Sequence, residues 1–325
     1  MWREDIDAGH WIQVSHPDLV AERVSRFVNF IESGAADEKA PPALQRRRVK
    51  GARQPFSGQL AIVTGAGNGI GRETLLALAK LGADVLAVDI DPDALERTVE
   101  MARELGARAR GEVMDVSDAP AWDRFAASVQ DTEGAPDIVI NNAGIGMAGA
   151  FLDTTAADWE RILGVNLMSV VHGSRLFGQM MRDAGRKGVL VNVASAAAYS
   201  PNRDMSAYST TKAAVRMLSD CMRADLGDQG IRVISVCPGI INTGITDRSR
   251  FVGSDSATEQ SQRARASALY ARRNLGPDAV ASRIVDAIRK DKDEVLVGIE
   301  AHGLSWLNRL APGLARRLAR VSLAP

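Results

Sequence analysis

Residues 60–71 read LAIVTGAGNGIG, a short apolar run that opens at Gly65 into four glycines spread over seven residues. Leu60–Val63 has the length and aliphatic content of a buried strand, and the residues from about 70 to 81 take up a helical period, so the glycines sit between a strand and a helix. In that setting glycine lets the backbone turn sharply and come close to a pyrophosphate, while the free N–H groups at the start of the helix favour its negative charge. A glycine-rich βα turn without a ligand is the competing reading.

The alternation continues outward from this stretch. Strands are expected at ADVLAVDI (83–90), near 108–114, at DIVINN (137–142), GVLVNVAS (188–195), IRVISV (231–236) and EVLVG (294–298). Between them come helical periods at 92–105, after the third strand, at 156–183, 207–227 and 277–290, and a polar excursion occupies 242–275. Strands joined through helices imply right-handed βαβ crossovers. The expected fold class is therefore α/β, a Rossmann-type doubly wound parallel sheet of about seven strands with helices on both faces. Two flanking segments complete it. Pro17 and Gly34 bracket an N-terminal helix over 17–33, whose apolar face holds Leu19, Val20, Val24, Phe27, Val28 and Ile31. Residues 34–57, with RRRVK at 46–50, read as a solvated linker. The organisation is then 1–57 as helical stub and linker, 58–300 as dinucleotide-binding domain, and 301–325 as a basic amphipathic tail.

Composition narrows the partners. The 325 residues carry 40 basic and 40 acidic side chains, which argues against nucleic acid. Cys221 and Cys237 supply neither a disulfide framework nor a metal-ligand spacing, and both read as buried free thiols. His10, His16, His172 and His302 are scattered, so no metal site is expected. The first residues form no signal peptide and no apolar stretch reaches about 18 residues, so a cytoplasmic location is expected.

The second expected strand ends at Asp89, about twenty residues beyond the glycines. A carboxylate there accepts from both ribose hydroxyls of the adenosine half and repels a 2′-phosphate, and Ile90 follows where an arginine would welcome one. NAD is thus favoured over NADP, unless Asp89 merely caps the next turn. Farther along, Tyr208 and Lys212 stand four apart in AYSTTKAAV and share one face of a helix. A tyrosine with a pKa near 10 is a poor base, and a neighbouring ammonium stabilises its phenolate. Ser195 lies thirteen residues earlier, just past the strand VLVNVA, at the carboxyl end of the sheet where ligands bind.

Together these residues resemble the short-chain dehydrogenase/reductase family of the classical type, from about Gly58 to Gly298. TGAGNGIG is similar to its TGxxxGxG motif, NNAG at 141–144 to the motif after its fourth strand, and PGIINT at 238–243 to its nicotinamide-side segment. Asn166, Ser195, Tyr208 and Lys212 fall in the order of its catalytic tetrad. The resemblance implies an NAD(P)-dependent enzyme acting on CH–OH groups. Tyr208 is its general acid and base, Lys212 lowers the pKa of Tyr208 and holds the nicotinamide ribose, Ser195 hydrogen-bonds the substrate oxygen, and Asn166 retains a water. It also implies cofactor contacts from Gly65, Asn68, Gly69, Ile70 and Gly71. Asp115 and Val116 would meet the adenine; Asn142, Ala143 and Gly144 would line the cleft; Pro238, Gly239, Ile241 and Thr243 would meet the nicotinamide. The usual Ser-Ser after the fifth strand is Ala194-Ser195 here, which keeps the catalytic serine. A dinucleotide-sensing protein without turnover is the alternative function.

The opening AGHWIQVSHPDLVAERVSRFV resembles the end of an epoxide-hydrolase-type α/β-hydrolase, in which His10 would be a triad base. No G-x-S-x-G or G-x-D-x-G elbow accompanies it, so hydrolysis is not expected of this chain, and 1–34 reads as the stub of a hydrolase–dehydrogenase fusion or as a private helix. Apolar residues on several sides of 156–183 and 207–227 (Val170, Val171, Phe177, Met180, Met181, Met217, Met222) suggest a homodimer or homotetramer. In 301–325, Leu304, Trp306, Leu307, Leu310, Leu314, Leu318 and Val321 are expected on one side of two short helices, beside Arg309, Arg316, Arg317 and Arg320. That composition suits either a core-packing element or an interfacial anchor with peripheral membrane contact, the latter implying an apolar, lipid- or sterol-like alcohol or ketone as substrate.

Overall fold

The computed structural model describes residues 54–245, 249–253, 259–261, 263–264 and 275–319. The chain divides into two units, Met1–Gly58 and Gln59–Pro325. The expected helix at 17–33, all but the last four residues of its linker, and His10 lie outside the described residues, as do most of the excursion at 242–275, Arg320 and Val321.

The second unit is built on one parallel sheet. Its strands are β1 (Leu60–Thr64), β2 (Asp84–Asp89), β3 (Ala109–Val113), β4 (Ile138–Asn141), β6 (Val189–Val193), β7 (Arg232–Pro238) and β9 (Glu294–Val297), in the order β3-β2-β1-β4-β6-β7-β9. Every residue of β1, β4 and β6 is buried, as continuous apolar strands covered on both faces must be. The edge strand β3 is half-exposed and carries Arg110 and Glu112. Helices α1 (Gly69–Lys80), α2 (Pro92–Glu104), α3 (Ala119–Thr132), α4 (Ala156–Leu163), α5 (Ser169–Asp183), α6 (Ser206–Leu226) and α7 (Pro277–Lys290) alternate with the strands. Strand order reverses between β1 and β4, and the carboxyl ends of these strands form the crevice where such sheets take ligands.

Two features hold the central helices. Trp122, Phe125 and Phe177 pack edge to face with centroids 5.7–6.4 Å apart, and the Trp122 indole donates to Val116 O at 2.8 Å. Beside them runs a buried polar ladder. Asn141 Nδ2 donates to Ser174 Oγ (3.0 Å) and Asn192 Oδ1 (2.9 Å), and Asn192 Nδ2 to Ser219 Oγ (3.0 Å), tying β4 and β6 to α5 and α6. Buried hydrogen bonds of this kind help fix one register of helix on sheet, although Asn141 Oδ1 itself is left without a partner among the described residues.

The expected continuous helix at 156–183 is interrupted. Gly164–Met168 forms a π turn between α4 and α5 and carries the fully buried Asn166; such turns recur at functional sites. A small parallel pair, β5 (Met147–Ala148) with β8 (Arg250–Phe251), was not foreseen; the ion pair of Arg250 with buried Asp158 (2.9 Å) fastens it to α4. Cys237 is buried, but Cys221 is exposed, because α6 turns Thr211, Lys212, Val215 and Ser219 inward and position 221 falls on the opposite side. Of the residues that suggested subunit packing, Val170, Phe177 and Met181 belong to the core, Met180 and Met222 pack against it, and Met217 is exposed.

The chain beyond β9 forms α8 (Ile299–Leu310) and α9 (Pro312–Leu318). Their apolar residues do not share one side. Ala301 is buried and Leu304 packs on the cluster of Val170, Tyr199, Val215 and Cys237, whereas Trp306 and Leu310 are exposed. Positions 304 and 306 lie about 200° apart around a helix, so they cannot face the same way. Among the described residues no helix is long and apolar enough to cross a membrane.

Candidate active site

The glycine loop is shaped by contacts that only glycine allows. Gly65 (φ +65°) and Gly69 (φ +56°) adopt left-handed backbone. A Cβ on Gly71 would lie 2.1 Å from the Gly65 carbonyl oxygen, so α1 begins directly against the end of β1. Asn68 caps α1 in extended conformation without a side-chain hydrogen bond, and the first turn carries no acidic residue. The leading amides of the helix are thereby left for an anion. Thr64 Oγ1 accepts from Asn142 N (3.0 Å) and Ala143 N (3.1 Å), while Asn142 Nδ2 donates to Thr64 O (2.9 Å), so the ends of β1 and β4 are pinned side by side.

Asp89 closes β2 and is 3 % exposed. Its Oδ2 accepts from Gly67 N at 2.7 Å and its Oδ1 from Asp91 N at 3.1 Å. The turn-capping role and a position at the cofactor crevice therefore coexist: the carboxylate holds the loop and still lines the crevice beside exposed Ile90. The guanidinium of Arg72 is taken up by Gly67 O and by Thr98 Oγ1. Asp115 accepts from Ser117 N and Oγ, an Asx turn that starts the approach to α3.

The candidate chemical residues converge from three elements. Ser195 follows β6 in extended conformation, and its Oγ accepts from Ala197 N at 3.2 Å. Tyr208 and Lys212 lie on α6, with Nζ 6.0 Å from the phenol ring centroid. Lys212 is 4 % exposed and donates to Val193 O at 2.9 Å. Burial drives its pKa down to about 8 although the nearby Cys237 acts in the opposite direction. Asn166 is engaged on both ends of its amide. Nδ2 donates to Ile145 O (3.0 Å) and Thr211 Oγ1 (3.2 Å), and Oδ1 accepts from Ile145 N (2.8 Å). Thr211, in turn, donates to Tyr208 O at 2.8 Å. A Cβ on Gly144 would sit 3.3 Å from Asn166 Oδ1 and 3.4 Å from Lys212 Nζ, so glycine keeps these groups close.

Of the candidate catalytic and cofactor-binding residues, all but Gly71 and Asn166 line one cleft of about 1210 Å³. The space that the glycines leave free of side chains, and a helix start without a side-chain cap bond, fit a dinucleotide diphosphate. Among the described residues no group of His, Cys, Asp or Glu side chains could hold a metal ion.

Sequence reasoning missed three contributors. Glu300, Gly303 and Leu304 of α8 close the cleft from the C-terminal side. Thr211 couples Asn166 to α6. Tyr199 ends the short turn after Ser195; its Oη donates to Glu294 Oε1 at 2.7 Å and Arg216 stacks 4.9 Å from its ring. Burial and the adjacent Cys237 raise the Tyr199 pKa, so it stays a phenol, and burial pushes the Cys237 thiol up to about 11. The adjacency of Tyr199 to the serine was visible in the sequence; its partner, 95 residues away, was not.

A family model described as short chain dehydrogenase matches residues 59–251. The Mycobacterium tuberculosis protein named "Probable oxidoreductase EphD" is 44 % identical over 324 residues, which is 99 % of this chain and 54 % of that protein. The chain thus spans about half the length of this relative. Among solved structures, a short chain dehydrogenase/reductase from Burkholderia phymatum in complex with NAD superposes with a TM-score of 0.73 at 29 % identity, covering 83 % of this chain and 98 % of the other. A metagenomic short-chain oxidoreductase in complex with NADP gives a TM-score of 0.61 at 28 % identity, covering 74 % and 97 %.

Proposed function

This chain is an oxidoreductase that belongs to the short chain dehydrogenase family, and from that premise we propose that it moves a hydride between NAD(H) and the carbinol or carbonyl carbon of an apolar secondary alcohol or ketone. One observation carries the reading: Ser195, Tyr208 and Lys212, from β6 and α6, meet at the same cleft as the glycine loop and Asp89.

The nicotinamide ring, when bound, gives or takes the hydride. The protein's part is binding and proton transfer. Gly65, Asn68, Gly69 and Ile70 would receive the diphosphate, Asp89 the adenosine ribose, Asp115 and Val116 the adenine, and Pro238, Gly239, Ile241 and Thr243 the nicotinamide side. In the oxidation direction Ser195 Oγ donates to the substrate oxygen and Tyr208 Oη takes its proton. The Lys212 ammonium favours the phenolate by its charge. Asn166, whose amide hydrogens go to Ile145 O and Thr211 Oγ1, would position the helical turn that carries Tyr208 and retain the water that joins Lys212 to a proton path. The buried carboxylate of Asp89 supports NAD over NADP, because a 2′-phosphate beside it would face like charge.

Ile145, Ala197, Met205 and Leu304 line the substrate side of the cleft, which supports an apolar substrate. A homodimer or homotetramer and a site of action in the cytoplasm complete the proposal; light scattering at micromolar concentration reads the former. Residues 1–34 would be the end of an epoxide-hydrolase-type domain, supported by a match that includes this segment yet fills 54 % of the relative. The deciding assay follows reduced-nicotinamide absorbance with a panel of secondary alcohols and both dinucleotides. Turnover with NAD is expected. Tight NAD binding with no turnover on any alcohol or ketone would instead favour the sensing protein.

A further inference from the structure

Helix α8 has two faces of opposite use. Inward, Ala301 is buried, and Glu300 and Leu304 line the cleft. Outward, Ile299, Trp306 and Leu310 are 77 %, 59 % and 72 % exposed. Spacings of seven and four residues set them in one stripe along the helix axis, about 16 Å long. On α9, Leu314 and Leu318, one turn apart, are also half-exposed. Arg309 borders the stripe on α8, and Arg316 and Arg317 are exposed on α9. Glu300 is the last acidic residue of the chain, although the whole chain balances 40 acidic against 40 basic side chains. The surface is therefore apolar at its centre, bordered by arginines, with Glu300 on the cleft side, and continuous with the wall of the cleft.

We propose that α8 and α9 dock on an anionic lipid surface and lie in the plane of its interface. Headgroup phosphates match the arginines, and the boundary between headgroups and acyl chains takes Trp306 and the leucines. A second copy of the chain fits less well. A two-fold contact would bring the same arginines against each other, while Glu300, the one carboxylate of the two helices, lines the cleft. Because α8 also lines the cleft, docking sets the cleft wall next to the bilayer. An apolar alcohol or ketone would then enter from the membrane surface; that consequence rests on the proposed oxidoreductase reading, whereas the docking itself does not.

Sedimentation of the full chain with vesicles tests it. The protein should pellet with phosphatidylglycerol–phosphatidylcholine vesicles and stay in solution with phosphatidylcholine alone. Each arginine removed should lower the partition about fivefold. The triple variant Arg309→Gln/Arg316→Gln/Arg317→Gln should therefore lose about a hundredfold, and Trp306→Ser/Leu310→Ser at least about tenfold. Activity on a short, water-soluble secondary alcohol should be unchanged in both, since none of these side chains lines the cleft. Failure of the wild type to pellet, or equal pelleting of all forms, overturns the proposal. A dimer in light scattering that Leu310→Ser dissociates, without vesicle binding, assigns the stripe to a second copy. Vesicle binding without any alcohol turnover would leave the docking intact and remove the oxidoreductase reading.

Discussion

Replacing Lys212 by Met tests whether the ammonium behind Tyr208 is held at a cost in stability. The lysine is buried, and its pKa falls from 10.5 to about 8 because burial disfavours the charged form. In the unfolded chain the same group keeps its proton up to the ordinary value. Between these two values the unfolded state binds more protons than the folded one, so stability rises with pH across this window. Each pH unit above the folded pKa adds about 1.4 kcal/mol. From about pH 7 to about pH 9.5 the contribution is about 2 kcal/mol, or about 4–8 °C in Tm for a domain of this size. The Met variant lacks this proton but retains every other titrating group. Its loss of the hydrogen bond to Val193 O shifts its curve by an amount that does not vary with pH. The assay is thermal unfolding of both ligand-free proteins over that pH range, read as the difference between the curves. Wild type should gain on the variant as pH rises. Parallel curves would refute a depressed Lys212 pKa. The variant should also lose turnover, since an uncharged side chain no longer favours the phenolate.

Tyr208→Phe should lower turnover by about 10²–10⁴ while NAD affinity, measured by calorimetry, changes little; wild-type turnover would move the acid/base elsewhere. Asp89→Asn retains an acceptor for Gly67 N–H and removes the charge, so NADP affinity should rise about tenfold or more relative to NAD; an unchanged ratio would reduce Asp89 to a turn cap. Tyr199→Phe removes a hydrogen bond to the Glu294 carboxylate and should cost about 1.5–3 kcal/mol in denaturant unfolding. Because Tyr199 ends the turn that carries Ser195, KM should rise more than kcat falls.

What was legible in the sequence is what local spacing determines. The glycines at 65, 67, 69 and 71 need only a strand before and a helix after them, and Tyr208 and Lys212 meet because four residues make about one helical turn. The strands were legible because β1, β4 and β6 are buried on both faces and read as continuous apolar runs. Asn166 illustrates where this stops. Its type and order were readable, but its hydrogen bonds run to Ile145 and Thr211, 21 and 45 residues away, and the π turn that aims it leaves no mark in the hydrophobic period. Asp158 and Arg250 pair across 92 positions for the same reason.

The tail of the chain shows the other limit. A helix with apolar residues on more than one side fits several phases, and only the surface it lands on selects one. In α8 the choice is made by Leu304, which enters the cluster around Tyr199 and Val215. Once that side is taken, Trp306, two residues on, must point away. The same apolar content that completes the cleft wall therefore leaves Ile299, Trp306 and Leu310 uncovered, and the exposed stripe follows from the inward packing of its own helix. Substituting Leu304 should consequently disturb the cleft before it disturbs the outer face, whereas Leu310 should affect only what docks there.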